Sequence, residues 1–384
     1  MAIITLNRPE ALNALSLEMI LRLRTLFGEF SADPNVFAVL IRGAGEKAFC
    51  AGGDIRALYK SFKNSGSLHS EFFAAEYPLD YLLYSYPKPY AALLDGITLG
   101  GGMGISQGSN LRIVGERTQM AMPEVAIGFF PDVGGSYFLS RLPGMLGRYL
   151  ALTGLKINAA DALYSRLADV YLPPAAIASA ADDLATLRWS TEHFADLQRF
   201  LHKRAAAPMS SPTLPALREA IDGHFSKNSV AAILSSLEAE SRGAHSAWAK
   251  ATAELMRSRS PTLLSVTLRQ LQRGANLSLA DCFRMELGMA AHSFEQGDFL
   301  EGVRAVLIDK DNKPNWQPNR IEDVTEPMID AFFRGSGARG VSRRGPAPGR
   351  RSWSGGVPWY RSSDRPTYRG GARPRGGCRD RARS

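Results

Sequence analysis

Cysteine is scarce in this chain. Cys50, Cys282 and Cys378 lie far apart and are odd in number, which excludes a disulfide framework and a structural zinc site, since both need paired, closely spaced ligands. Long hydrophobic runs are also missing: none approaches the ~18 residues of a membrane-crossing helix, so no membrane partner is expected. Met1 to Pro9 has no basic stretch before its short apolar run and does not read as a secretory signal. No Gly-Lys-Ser/Thr phosphate loop occurs, and Gly100-x-Gly102 does not continue as a dinucleotide fingerprint. The histidines are scattered without ligand spacing, so no metal is expected. Ser136 follows Gly134-Gly135, but no Gly-x-Ser-x-Gly elbow is expected in the chain, which argues against a serine-hydrolase triad. With 45% hydrophobic and 22% charged residues, the expectation is a soluble globular protein of a reducing, cytoplasmic compartment.

What is present is a recurrence of strand, glycine-rich turn and helix. Leu17, Ile20, Leu21, Leu23, Phe27 and Phe30 stand at helical spacing, predicting a helix from about Ser16 to Phe30 with Ser16 as N-cap. The apolar runs Val36–Ile41, Tyr90–Asp95 and Leu111–Val114 predict strands buried on both faces. The fold class expected is therefore α/β (α+β). Beyond about Gly144 the pattern turns mainly helical, with a surface segment at 207–212. One helix runs from Pro261 to Leu271, with proline at its first position, and another from Ser278 to Ser293. The organisation expected is a core over 1–200, a helical region over 201–334 and a tail over 335–384.

Charge separates the tail from the rest. The net charge is +9, but residues 335–384 hold 13 Arg, no Lys and 2 Asp, a local +11 that leaves −2 for everything before. That tail cannot bury enough apolar surface to offset its chain entropy, and it reads as disordered.

Two features carry chemistry. Gly52-Gly53 and Gly100-Gly101-Gly102 each follow an apolar segment. They are either plain tight turns or backbone-lined sites whose N–H groups converge as an oxyanion hole. Glu124 and Asp132 sit in the apolar, glycine-rich stretch Pro123 to Gly135. They are either a surface residue and a loop cap, or carboxyls tuned by desolvation for acid–base or nucleophilic work.

Taken in order, Ile4-Thr5-Leu6-Asn7-Arg8-Pro9, Phe49-Cys50-Ala51-Gly52-Gly53-Asp54-Ile55, Gly96 to Gly104 and Met122 to Gly135 resemble the crotonase superfamily over about residues 1–334. Enoyl-CoA hydratases of that superfamily carry a glutamate where this chain has Gly104. The run Phe130-Pro131-Asp132-Val133-Gly134-Gly135, with Glu71 to Tyr77 and Asp309 to Trp316, is more similar to the 3-hydroxyisobutyryl-CoA hydrolase branch. The resemblance implies a spiral of ββα units followed by a mainly helical C-terminal region. It implies an acyl-CoA substrate, no cofactor beyond the CoA carried by that substrate, and homo-oligomers in many members. It further implies thioester oxygen binding by the N–H groups of Gly53 and Gly101, and Glu124 as nucleophile or general base. Asp132 would bind the substrate hydroxyl or orient water, Glu76 would line the acyl end, and the backbone of Gly52, Gly53, Asp54 and Ile55 would receive CoA.

Two ends depart from the family. Met1 stands almost on the first motif, where the expectation is either a misassigned start or a truncated first strand. The tail resembles a GC-rich gene read out of frame from near Arg334. Its Arg, Trp353, Trp359, Tyr360 and Tyr368 would also suit RNA by charge and stacking. We read the tail as the former, so nucleic acid is not expected as a partner.

Overall fold

In the computed structural model, which describes residues 1–334, eight strands form two parallel sheets. They are β1 (Ala2–Leu6), β2 (Val39–Gly43), β3 (Ala48–Cys50), β4 (Tyr90–Leu94), β5 (Ile97–Leu99), β6 (Leu111–Val114), β7 (Gln119–Ala121) and β8 (Val170–Tyr171). The larger sheet has the order β1-β2-β4-β6-β8 and the smaller β3-β5-β7. Each consecutive pair, β2/β3, β4/β5 and β6/β7, therefore adds one strand to each sheet before the chain turns into helix. This is the ββα spiral that the motifs implied. The expectations for residues 335–384, disorder and a frame shift rather than RNA binding, fall outside the described residues.

Helices fill the returns of the spiral. After β1 comes α1 (Leu17–Ala32), and after β3 come α2 (Ile55–Lys63) and α3 (Leu68–Tyr84). α4 (Gly101–Gln107) follows β5; α5 (Gly135–Phe138), α6 (Leu146–Thr153) and α7 (Ala159–Tyr164) follow β7. Beyond β8 the described chain is helical: α8 (Pro174–Ala185), α9 (His193–His202), α10 (Leu214–Phe225), α11 (Val230–Ala239), α12 (Ser246–Arg257), α13 (Pro261–Gly274), α14 (Leu279–Gln296), α15 (Asp298–Val303) and α16 (Glu326–Phe333). The predicted cap is in place, Ser16 Oγ accepting from Met19 N at 3.2 Å, and the helix that opens with Pro261 is capped by Ser260, whose Oγ accepts from Leu263 N at 3.1 Å.

Strand alternation divides the core. Val39, Ile41, Ala92, Leu94 and Val114 face the main core, with Phe27 and Tyr90 among its buried aromatics. The intervening Leu40, Ala91, Leu93 and Ile113 face the other side, where Ala180, Leu184 and Leu201 of α8 and α9 cover them. A large sheet covered on both faces explains its continuous apolar runs.

One boundary differs from expectation: β2 begins at Val39 rather than Val36. Val36 N donates to Asp33 O in a turn, and the Phe37 ring stacks on His193 at 4.7 Å. Val36 and Phe37 lie beside the sheet, and Ala38 joins it through its carbonyl, which accepts from Ala2 N at 2.9 Å. The short strands of the smaller sheet were not delimited in the sequence, because three residues carry no readable period.

Candidate active site

The smaller sheet creates the site by bringing three chain turns to one level. Its strands are parallel neighbours, so their C-terminal ends deliver Gly52-Gly53, Gly100-Gly101 and Pro123-Glu124 side by side. Gly52 has φ +101° and Gly100 φ +47°, left-handed conformations that side chains resist. A Cβ added at Gly52 would stand 3.4 Å from Gly101 N, and one at Gly101 would stand 3.3 Å from Gly53 N. The two amides expected to converge are thus adjacent. The bridge between Leu15 and this turn uses Gly52 O and Asp54 N, and leaves Gly53 N–H outside it. Gly101 opens α4, where N–H groups have no partner within the helix. This pair of donors has the arrangement of an oxyanion hole.

Glu124 lies against the same turn, since a Cβ at Gly100 would meet Glu124 Oε1 at 2.8 Å. The carboxyl of Glu76 approaches from α3, where a Cβ at Gly101 would meet its Oε1 at 2.7 Å. Asp132 accepts a 2.7 Å hydrogen bond from Tyr77 Oη. Glu76, Glu124 and Asp132 are 2%, 7% and 5% exposed, which removes the readings of Glu76 as a solvated helix residue and Glu124 as a surface one. Asp54 plays a different part. Its side chain caps α2 through Ala57 N and pairs with Arg8 at 3.0 Å, leaving only backbone from Gly52 to Ile55 for a ligand.

Two further carboxyls belong to this cluster. Asp80, one helical turn beyond Glu76, is fully buried and neither oxygen has a hydrogen-bond partner. Glu286 of α14, also fully buried, accepts from Gly134 N at 2.8 Å and Ser136 N at 2.9 Å. Sequence reading missed both. Asp80 follows Glu76 at i+4 on a buried face, a signal that was available. Glu286 bonds to residues 150 or more positions away, and no local pattern announces that.

Among the described residues none of the five carboxyls is ion-paired, so burial governs their protonation. Desolvation pushes Glu76, Asp80 and Glu124 well above the usual carboxylate range, and neighbouring acids push the same way. Asp132 rises only to about 7, because burial is opposed by the hydrogen bond from Tyr77. Glu286 rises to about 8, again through burial, opposed by its bonds to the Ser136 and Gly134 region. Among the described residues no group of His, Cys, Asp and Glu could hold a metal ion. Cys50 is no nucleophile, since burial pushes its thiol up to about 12.

Two other sequence features resolve differently. Gly104-Ile105-Ser106-Gln107-Gly108 has the letters of a nucleophile elbow, which corrects the expectation that the chain contains none. Ser106 nevertheless lies inside α4, fully buried, and donates to Met103 O; an elbow needs the serine exposed at a strand-to-helix turn. Gly104 itself is closed. A Cβ there would stand 2.6 Å from Val133 Cβ and 3.0 Å from Asp80 Oδ2, so the space of a second glutamate is occupied by other residues.

Comparison with known proteins agrees with this geometry. The pattern of the family described as enoyl-CoA hydratase/isomerase matches residues 1–333. A curated relative from Xenopus tropicalis, named 3-hydroxyisobutyryl-CoA hydrolase, mitochondrial, is 42% identical over 337 residues, 87% of this chain and 86% of its own length. A structure titled carnitinyl-CoA dehydratase, from Mycobacterium thermoresistibile, has a TM-score of 0.78 at 39% identity, covering 86% of this chain and 93% of its own. An enoyl-CoA hydratase from Rhodobacter sphaeroides 2.4.1 has a TM-score of 0.77 at 35% identity, covering 87% and 95%. These likenesses bear out the expected fold. They overturn the cytoplasmic expectation, because the frog relative and those from Xenopus laevis, chicken and rat are named mitochondrial. Few cysteines and a mixed charge suit any reducing compartment, so composition could not distinguish the two.

Proposed function

Because the chain belongs to the enoyl-CoA hydratase/isomerase family, we infer from its site that it hydrolyses the thioester of (S)-3-hydroxyisobutyryl-CoA to 3-hydroxyisobutyrate and free CoA. The observation that carries this reading is the carboxyl of Glu124 set against the Gly100 turn beside the Gly53 and Gly101 amides, while position 104, where a hydratase has its other glutamate, is filled. Adding water to a double bond calls for an acid and a base that share the work. Cleaving a thioester calls for an oxyanion site and one nucleophile or base. The relatives named as hydrolases fit that arrangement better than the structures titled hydratase or dehydratase.

The thioester oxygen is held by Gly53 and Gly101 N–H, donors each worth ~3–4 kcal/mol in a transition state. Ionised Glu124 attacks the carbonyl carbon, the C–S bond breaks, and CoA departs as a thiolate that takes up a proton. Water then opens the resulting anhydride, releasing 3-hydroxyisobutyrate and restoring Glu124. The close approach of Glu124 to the Gly100 turn favours direct attack over attack through an intervening water. Asp132 receives the substrate hydroxyl, Glu76 lines the acyl end, and the Gly52–Ile55 backbone takes the adenine of CoA. Residues 1–200 supply these groups and residues 201–334 close over them. CoA enters within the substrate and leaves as product, and these steps need no other cofactor. The reaction places the enzyme in valine breakdown.

The test is thiol release from (S)-3-hydroxyisobutyryl-CoA, with crotonyl-CoA hydration in parallel and Glu124→Gln as control. Release that vanishes in the variant, with negligible hydration, is the expected result; hydration without release would refute the assignment. Hydroxylamine present during turnover should leave a hydroxamate on Glu124 if the carboxylate itself attacks.

A further inference from the structure

The turn that carries Asp132 is held from the far end of the described chain. Pro131, Asp132, Val133 and Gly134 run into α5, and Val133 has φ +50° followed by Gly134 at +88°. A β-branched residue in the left-handed region is strained by ~1–3 kcal/mol and persists only where its surroundings hold it there. Two helices beyond residue 260 do so. From α13, Gln270 Nε2 donates to Pro131 O at 2.6 Å and to Ser136 Oγ at 2.8 Å. From α14, the two oxygens of Glu286 accept from Gly134 N and Ser136 N. Gln270 and Glu286 are both fully buried, so water cannot substitute for either. The turn adds its own bond, Gly135 N to Asp132 O at 2.7 Å. The held conformation has two consequences. It aims Asp132 at Tyr77, and it presses Val133 into the space beside Gly104.

We propose that Glu286 and Gln270 form a clamp that sets acyl specificity, by fixing the Asp132–Val133 turn so that the enzyme distinguishes a hydroxylated acyl group from its deoxy analogue. Neither residue touches the reacting atoms; both are positioning residues acting through Asp132. The proposal rests on the hydrolase reading, in which Asp132 meets the substrate hydroxyl. Its physical core is the mismatch that any neutral replacement of Glu286 creates. A glutamine there offers one acceptor oxygen and one NH2, so one of the two amides would face a donor. The strained turn would relax, and hydroxyl recognition would loosen before thioester cleavage did.

The experiment measures kcat/KM for 3-hydroxyisobutyryl-CoA and for isobutyryl-CoA in the unsubstituted enzyme, Glu286→Gln, Gln270→Met and Asp132→Asn. The ratio of the two values is unaffected by the fraction of enzyme folded, so simple destabilisation does not move it. Sites built to bond a hydroxyl discriminate strongly against its absence, and the ratio should fall about tenfold or more in both clamp variants. Combining Glu286→Gln with Asp132→Asn should lower it no further than Asp132→Asn alone. Gln270→Met keeps the length of the side chain and serves if Glu286→Gln does not fold. A ratio unchanged in the clamp variants, with cleavage of 3-hydroxyisobutyryl-CoA intact in the parent, overturns the clamp alone. A parent enzyme that does not cleave 3-hydroxyisobutyryl-CoA overturns the functional reading, and the specificity role with it.

Discussion

Tyr77 donates its phenolic hydrogen to Asp132 Oδ2 at 2.7 Å, and this bond lowers the pKa of a carboxyl that burial drives upward. Both partners are fully enclosed, and no cation joins them among the described residues. Asp132 is therefore the acid of the cluster readiest to hold the site's negative charge, at about 7, while Glu76, Asp80 and Glu124 remain protonated over a wider range.

Tyr77→Phe should raise the Asp132 pKa above about 7, because the one side-chain bond that favours its ionised form is removed. The loss of a buried bond to a charged group should cost ~1.5–3 kcal/mol in stability. The expected result is a lower melting temperature and a rise in KM for the hydroxylated acyl-CoA that exceeds any fall in kcat. Thermal unfolding and steady-state kinetics check the two separately. A KM that does not move would disconnect Tyr77 from substrate binding.

Asp132→Asn acts on Glu124. The negative charge of Asp132 is one cause of the raised Glu124 pKa, so a neutral amide there should let Glu124 ionise at lower pH. Glu124 must be deprotonated to react, so activity rises with pH through its raised pKa. In the variant that ascending limb should move to lower pH, even though overall turnover falls with the loss of hydroxyl binding. The pH dependence of kcat/KM on isobutyryl-CoA, which lacks the hydroxyl, isolates the effect.

How much of this was readable beforehand depended on distance along the chain. Gly53, Gly101 and Glu124 stand in local motifs that the residues alone left open between plain turns or surface and a site, and the family resemblance singled them out. Their convergence was not legible in those residues, since it comes from β3, β5 and β7 pairing, strands too short to show a period. Asp80 stands among Leu79, Leu82 and Leu83 on α3, one turn beyond Glu76, and that pairing on an apolar face went unread. Glu286 occupies the same kind of position between Phe283 and Met289 on α14. A carboxyl in such a stripe is meaningful only once its partner is known, and for Glu286 that partner is a turn on the opposite side of the sequence.

Position 104 offers a direct test of why this site does not hydrate. Restoring a glutamate there should not create a hydratase, because its Cβ would lie 2.6 Å from Val133 Cβ and 3.0 Å from Asp80 Oδ2. Gly104→Glu adds volume and a further carboxyl to an already acidic pocket, and should destabilise by ~1–3 kcal/mol or more. The expected outcome is a lower melting temperature, loss of thiol release and no measurable crotonyl-CoA hydration. Hydration gained without loss of stability would mean that the Val133 turn yields easily.

The buried acids also set the pH dependence of stability. Asp132 moves from 3.8 to about 7 on folding and Glu286 from 4.5 to about 8, so between those limits the native state binds more protons than the unfolded one. Unfolding free energy must then fall as pH rises, by at most ~1.4 kcal/mol per pH unit for each group. His69 and His224 work the other way, since burial lowers their pKa below 6.5; their stability contribution grows with pH but is complete near that value. Carboxylates with lowered pKa, such as Asp281 and Glu301, act only in more acidic solution. The window left to the acid cluster is about pH 6.5 to 8, where the melting temperature should decline. Glu286→Gln cannot titrate and should show a shallower decline across that window, whatever its absolute stability. Denaturant unfolding at half-unit pH steps measures the slope, and equal slopes in parent and variant would show that Glu286 is already ionised in the folded protein.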